Sequence, residues 1–357
     1  MKKTLIASAI AAISFSGAVA AEMPEPAMSI LHLTEKMDAM PNFYGNIQYV
    51  YTYSDSDVNG SGGQHADNGT TLGFTHDHQI APGIEGFMRV ELEVRAADEK
   101  GPDNGLVDMD EAYIGVRGDS FGQVWIGSDD TQYESLLGDY GNWVFEYAGL
   151  NPYASYTTGE GDMLQYASPS FGGLTLHAGV QIQGASDASY PGGDEKRPYQ
   201  LAASYSVDAL TLSFVMDSND GAADTSNENS YGLSAEYALG SLVLDAYYDT
   251  RKGVDGFVDG DGTGGSDDQK FSLEGEEGRD QFGVMATYSM GANTFRAAYE
   301  MASADTSDLD VDVITLQALH NVSDHLYVYT ELAQRNNDNG TADEEINQIN
   351  VGGVYYF

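Results

Sequence analysis

The sequence predicts an all-β protein, and two observations support this. First, apolar and polar residues alternate along most of the chain in segments of roughly ten residues, as strands with two different faces require. Second, the chain has 42 Gly but only 9 Pro and no Cys, which suits many strands joined by tight turns without disulfide bonds. The lengths of the connections then decide how these strands are arranged.

The strand from Gly86 to Arg95 separates its two faces most cleanly. One face is aliphatic and the other carries charges, with Met88, Val90, Leu92 and Val94 alternating with Arg89, Glu91, Glu93 and Arg95. The first clear strand, Phe43 to Ser54, and the last, Glu345 to Phe357, alternate in the same way. A soluble sheet can show such a pattern, but in a membrane barrel it places lipid outside and water inside.

Short and long connections alternate along the chain. Seven short turns lie near residues 82, 120, 171, 208, 240, 292 and 323, and eight long, mostly acidic or Gly-rich loops lie around residues 55, 99, 129, 185, 220, 252, 304 and 336. Fifteen connections join sixteen strands. We therefore predict a transmembrane antiparallel up-and-down β-barrel of about 16 strands, with short periplasmic turns and long extracellular loops. A β-sandwich has no reason to alternate in this way.

The N-terminal residues predict export. Lys2 and Lys3 precede an uncharged run of apolar and small residues from Leu5 to Val19, and Ala18-Val19-Ala20 fits a signal-peptidase site. The run is shorter than the roughly 18 residues of a spanning helix. We predict a signal peptide at 1–20 cleaved near Ala20, an N-terminal periplasmic extension at 21–42 and a barrel at 43–357.

The charge excludes some functions. The chain has 56 acidic and 15 basic residues, a formal net charge of −41, so nucleic acid is not an expected partner. The acidity could reflect either a saline habitat or the function. Tyr outnumbers Trp by 24 to 2, and Tyr suits the interfacial girdles of a membrane barrel because its ring is apolar and its tip polar.

Several motifs resemble those of the Gram-negative outer-membrane general diffusion porins. They are the strand–turn–strand run from Ala112 to Gly127, the run from Leu164 to Thr175, Phe43-Tyr44-Gly45, Leu72-Gly73-Phe74 and the terminal Val354-Tyr355-Tyr356-Phe357. The resemblance implies a sixteen-stranded homotrimer with a water-filled pore, in the cell outer membrane. It also implies contact with lipopolysaccharide, recognition of Phe357 by the barrel assembly machinery, and a third extracellular loop folded inward as the constriction.

By position, the third loop spans about 128–161. Its acidic residues are the candidates for the pore constriction, together with one residue of the preceding strand: Asp129, Asp130, Glu134, Asp139, Glu146 and Asp110. In porins such a loop faces arginines on the barrel wall. Here Ser128, Thr71 and Asp110 occupy positions that are commonly basic in that family. The candidate pore-wall residues are Arg89, Glu91, Arg95, Arg296, Asn46 and Thr71. Arg89 and Arg296 share strand faces with Glu91 and Glu300, which suggests local pairing.

These residues predict a passive, cation-selective channel for small hydrophilic solutes, because charges lining a lumen select ions at close range. The alternative is a substrate-specific channel with an aromatic-lined constriction, since the third loop carries Tyr133, Tyr140, Trp143, Phe145 and Tyr147. A barrel enzyme would need a Ser/His or Asp/His constellation, and none stands out. A secreted soluble β-protein is the remaining alternative.

No cofactor and no dedicated metal site is expected. Residues 55–60 resemble the start of an EF-hand loop, but Ala66 occupies the position of the bidentate Glu. Residues 259–262 also resemble the start of an EF-hand loop, but Lys270 occupies the position of the bidentate Glu. Loose binding of divalent cations at these acidic loops is compatible with the sequence. His76 and His78 share a strand face, where interfacial polar residues are more common than metal ligands.

Overall fold

The computed structural model describes residues 40–94, 96, 106–137, 145–146, 148–149, 158–182, 197–220, 228–251, 278–305, 308–341 and 343–357. The predicted signal peptide and almost all of the predicted N-terminal extension lie outside this part of the chain. No helix within it is long and apolar enough to cross a membrane.

The described residues form seventeen strand segments and one short helix, α1 (Gln132–Leu137), between β6 and β7. The segments are β1 (Asn42–Ser56), β2 (Gly60–Asp67), β3 (Thr71–Ala81), β4 (Ile84–Val94), β5 (Leu106–Gly118), β6 (Gly122–Ser128), β7 (Met163–Ala167), β8 (Leu174–Gln181), β9 (Tyr199–Val207), β10 (Leu210–Asp217), β11 (Ser230–Leu239), β12 (Leu242–Arg251), β13 (Arg279–Met290), β14 (Asn293–Ala304), β15 (Asp310–Ser323), β16 (Leu326–Asp338) and β17 (Asp343–Tyr356).

These segments make a closed barrel of sixteen strands. Each pairs antiparallel with its neighbour, and β17 pairs with β1 from Asn46↔Tyr356 to Ser56↔Ile346, which closes the sheet. Both β2 and β3 pair with β1, so together they count as one barrel strand. The break between them arises because Asp67 Oδ1 accepts the N–H groups of Gly69 and Thr70 at 3.0 and 2.7 Å, which replaces ladder bonds with a turn. The predicted fold class and strand number are confirmed.

The seven predicted short turns are present, but three of the predicted long loops are wrong. β1 continues to Ser56, turns at residues 57–59 and returns as β2, so the first loop is mostly a hairpin. Five residues join β14 to β15, and four join β16 to β17. The sequence was misleading because acidic and Gly-rich residues, which are typical of loops, continue the strands as paired hairpin ends here.

The two faces of the sheet reverse the pattern of a soluble protein. Ile47, Tyr49 and Tyr51 are exposed on the outside, whereas their neighbours Gln48 and Thr52 are buried on the inside. The same alternation recurs along the described strands. An outward apolar band and a polar interior are what a barrel in lipid requires.

Glycines make room for inward aromatic rings on neighbouring strands. A Cβ on Gly73 would collide with the ring of Tyr44, and one on Gly283 would collide with the ring of Tyr247. Each ring therefore lies flat against the wall instead of projecting into the lumen, and Gly in the adjacent strand is what allows this.

Candidate functional site: the channel constriction

The third loop enters the barrel through α1. Tyr133 and Leu137, which are 0% and 1% exposed, pack with Ala202, Val215 and Tyr247 of the wall. The N–H of Tyr133 donates to Gln200 Oε1 at 2.9 Å, and its hydroxyl donates to Asp249. The apolar side of this single helical turn therefore fixes the start of the loop against β9 to β12.

A later part of the loop lies against another part of the wall. Phe145 packs on Met285 and Ala298. The N–H of Glu146 donates to Glu331 Oε1 at 2.5 Å, and the hydroxyl of Tyr327 donates to Glu146 Oε1 at 2.9 Å. The described parts of the loop thus contact the inner wall from β9 round to β16, and so they narrow the lumen.

Acidic side chains gather where the loop leaves β6 and returns to β7. Asp129 accepts a hydrogen bond from Trp125 Nε1 at 2.5 Å, and its N–H donates to the carbonyl of Glu160 at 3.1 Å. Burial raises the pKa of Asp129 to about 6, against the lowering effect of the Trp125 bond. Burial and neighbouring carboxylates raise the pKa of Asp130 and of Glu134 well above their usual range.

Arg89 lies within a cage of partners on the wall beside this group. Its Nη2 donates to Glu91 Oε2 at 2.8 Å, and its Nε lies against both Tyr44 Oη, at 2.7 Å, and Glu111 Oε2. The Arg89 side chain is 15% exposed. The pairing with Glu91 is as the sequence suggested, and Glu111 adds a second carboxylate to the same guanidinium.

A β-bulge directs two consecutive carboxyl groups towards this cage. Glu91 pairs with Glu111 whereas Leu92 pairs with Met109, so Asp110 is the extra residue of β5. The carboxyl of Asp110 lies within hydrogen-bonding reach of Glu91, and Glu111 lies on Arg89. A regular strand would have sent one of the two side chains outward.

The remaining predicted residues fall into two groups. Asn46 Nδ2 donates to Thr71 Oγ1 at 2.9 Å, so both line the inner wall near the Arg89 cage. Arg296 is on the opposite wall and bonds Gln317, whereas Glu300 accepts from the hydroxyl of Tyr247 at 2.9 Å. No Arg296–Glu300 ion pair is present in the described structure, so the suggested pairing is wrong. Arg95 and Asp139 lie outside the described residues.

Sequence reasoning missed five charged residues inside the barrel. Glu111 was hidden by the bulge, because period-two alternation places it opposite Asp110. Glu160 lies at the far end of the loop and meets Asp129 only through folding. Glu331 is on a strand remote from the loop in sequence. Arg251 and Arg279 are buried cross-strand partners inside the barrel. For Glu331, Arg251 and Arg279, the available signal was a charged residue in a strand whose other face is apolar.

Comparison with known proteins is consistent with this geometry. A model of the family described as Gram-negative porin matches residues 7–340. A monosaccharide porin of Halomonas sp and the major outer membrane protein of Halomonas elongata are each 27% identical over 399 aligned residues that cover 100% of both chains.

Solved structures share the fold at low identity. The anion-selective porin from Comamonas acidovorans has a TM-score of 0.70 and 16% identity, covering 89% of this chain and 99% of that one. The outer membrane protein OmpT of Vibrio cholerae, in a trimer form, has a TM-score of 0.60 and 14% identity over 89% and 99% of the two chains.

Proposed function

This chain belongs to the Gram-negative porin family and is an outer-membrane channel, and we propose that the channel is selective for cations. The observation that carries the proposal is the charge at the constriction. Six carboxylates of the described residues lie on or beside the wall that holds Arg89: Glu91, Asp110, Glu111, Asp129, Asp130 and Glu134. Arg89 is itself paired to two of them.

A lumen of this kind favours cations for a simple electrostatic reason. At separations of a few ångströms in a narrow pore, uncompensated carboxylates attract cations and repel anions. A guanidinium already held by Glu91, Glu111 and Tyr44 offers little attraction to an anion. The anion selectivity named for the Comamonas acidovorans porin belongs to that protein, which shares 16% of its residues with this chain.

The permeant solutes proposed are small hydrophilic molecules and ions in general. The Halomonas sp relative is named a monosaccharide porin, which makes simple sugars a reasonable first solute to test. An aromatic-lined, substrate-specific path is less favoured, because Tyr133 and Phe145 pack against the wall and are almost fully buried. Tyr140, Trp143 and Tyr147 lie outside the described residues.

Single-channel recording in a planar bilayer with a KCl gradient tests the selectivity. We expect a reversal potential that gives K⁺ preference over Cl⁻. A Cl⁻ preference, or none, would refute cation selectivity while leaving the channel function intact. Liposome swelling with sugars of increasing size then separates general diffusion, which falls smoothly with size, from a channel that prefers one sugar.

We also propose that the protein is exported with its first 20 residues removed and assembles as a homotrimer with lipopolysaccharide contacts. The trimer form of OmpT supports the assembly. Phe357, whose ring packs 5.9 Å from that of Phe43, is the proposed recognition point for the assembly machinery. Mature protein starting at Ala21, trimers after cross-linking, and poor membrane insertion when Phe357 is deleted are the expected results.

A further inference from the structure

Two overlapping groups of carboxylates lie at the root of the constriction loop. One consists of Glu111, Asp129 and Asp130, and the other of Asp130, Glu134 and Glu160. Within each group, one oxygen from each residue lies within 4.8 Å of the others. Two oxygens on opposite sides of a Ca²⁺ ion are up to about 5 Å apart. The spacing of each group is therefore that of ligands around a single ion.

Glu134 adds an independent observation. Its side chain is buried, with 9% exposed, and its Oε2 has no hydrogen-bond donor in the structure; the same is true of Asp130 Oδ2. The carboxyl groups of Asp130 and Glu160 both lie beside Glu134, and they bring negative charges instead of a donor. A buried carboxylate with acidic neighbours and no donor is costly unless a proton or a cation neutralises it.

The described arginines do not supply that cation to the second group. Arg89 forms its ion pairs with Glu91 and Glu111, on the side of the first group. Asp130, Glu134 and Glu160 have no ion pair with a basic residue among the described salt bridges. The second group is therefore the one where a cation from solution can replace protons as the neutralising charge.

We propose that Asp130, Glu134 and Glu160 bind a calcium ion at the root of the constriction loop. Oxygen-only donors select hard cations, and Ca²⁺ tolerates irregular geometry, whereas Mg²⁺ demands a near-ideal octahedron. Glu160 is exposed and gives the ion a way in, whereas Glu134 is buried.

The position of the ion gives it a structural role. Asp130 and Glu134 belong to the start of the loop and Glu160 to its end, and the two ends already meet where the Asp129 N–H donates to the Glu160 carbonyl at 3.1 Å. A bound Ca²⁺ fastens the ends together and removes two negative charges from the constriction. It therefore both stiffens the loop and weakens the attraction of the pore for monovalent cations.

Terbium luminescence tests this on the purified, chelator-treated protein. Tb³⁺ is a probe for Ca²⁺ sites, and Trp125, whose Nε1 bonds Asp129, places an indole beside the group to sensitise its emission. We expect saturable emission that Ca²⁺ competes away. We also expect Glu134→Gln and Glu160→Gln to weaken Tb³⁺ binding by at least about tenfold. Glu160 is exposed, so its variant folds even where the Glu134 variant does not.

Glu146→Gln is the matched control, because it neutralises a carboxylate of the same loop that lies on another part of the wall, bonded to Tyr327. Its Tb³⁺ affinity should equal that of the parent protein. Absence of sensitised emission, or equal loss of affinity in all three variants, would overturn the site. Since this readout does not depend on conductance, a failed site leaves the proposed cation selectivity standing.

Discussion

Arg89 and Glu111 form an ion pair inside the barrel, across neighbouring strands β4 and β5, with both side chains largely withdrawn from the lumen. Glu91 holds the other end of the same guanidinium at 2.8 Å. Arg89, the wall cation beside the acidic group, is thus paired with carboxylates of the wall itself. In this channel the arginine balances carboxylates instead of facing them across the pore.

Removing a carboxylate that pairs with Arg89 should change the ion selectivity more than removing a neighbouring carboxylate that does not pair with it. We expect Glu111→Gln to lower the K⁺/Cl⁻ permeability ratio more than Asp110→Asn, although each removes one negative charge on the same bulge. The reason is that only the first variant removes one of the two carboxylates that pair with the guanidinium, which is then held by Glu91 alone among the carboxylates. Reversal potentials in a KCl gradient provide the measurement. Equal effects of the two substitutions would show that the ion pair does not control selectivity.

The Tyr44 ring depends on the absence of a side chain at position 73. Gly73→Ala places a Cβ in the ring, so we expect a loss of about 1–3 kcal/mol in the free energy of unfolding. Urea denaturation of the refolded barrel measures this. Gly62→Ala is the control, since nothing lies within 4 Å of a Cβ there. An unchanged midpoint for the Gly73 variant would contradict the packing.

Glu331 holds the constriction loop against the wall. It accepts bonds from the Glu146 N–H at 2.5 Å, Gln317 Nε2 at 2.8 Å and Asn350 Nδ2 at 3.2 Å. Glu331→Ala leaves these buried donors unpaired, which costs about 1–3 kcal/mol each. We expect more frequent closures at a given voltage in single-channel records.

Glu331→Gln separates the bonding role of this residue from its charge. The amide keeps one acceptor oxygen for the Glu146 N–H, so its closure frequency should lie between those of the parent channel and the alanine variant. If both variants gate like the parent, the loop is held by other contacts, among them the packing of Phe145 on Met285 and Ala298.

The outward face should reject charge at mid-membrane. Val284 is exposed near the middle of β13, so Val284→Arg should destabilise the barrel by about 2–4 kcal/mol in lipid bilayers. Thr211→Arg carries the same charge on the inner face, beside its cross-strand partner Glu236, and should cost far less. Folding titrations in the same lipid compare the two. A reversed order would mean that the faces are wrongly assigned.

The sequence by itself determined the barrel. Alternation along each strand and the alternating connection lengths are local properties, because side-chain direction has a period of two and a closed barrel in lipid needs an apolar outside. The strand number, the inward-facing Asn46, Thr71 and Arg89, and the acidity of the third loop all follow from such patterns. Loop lengths were misjudged where polar and Gly-rich residues continue the strands as paired hairpin ends.

Only the tertiary structure decided which charges meet. Glu111 joins Arg89 because a bulge interrupts the alternation, and Glu160 reaches Asp130 and Glu134 because the loop returns to its own starting point. Glu331 meets Glu146 although 185 residues separate them. Such contacts depend on register shifts and on loop closure across the lumen, which no local pattern of residues encodes.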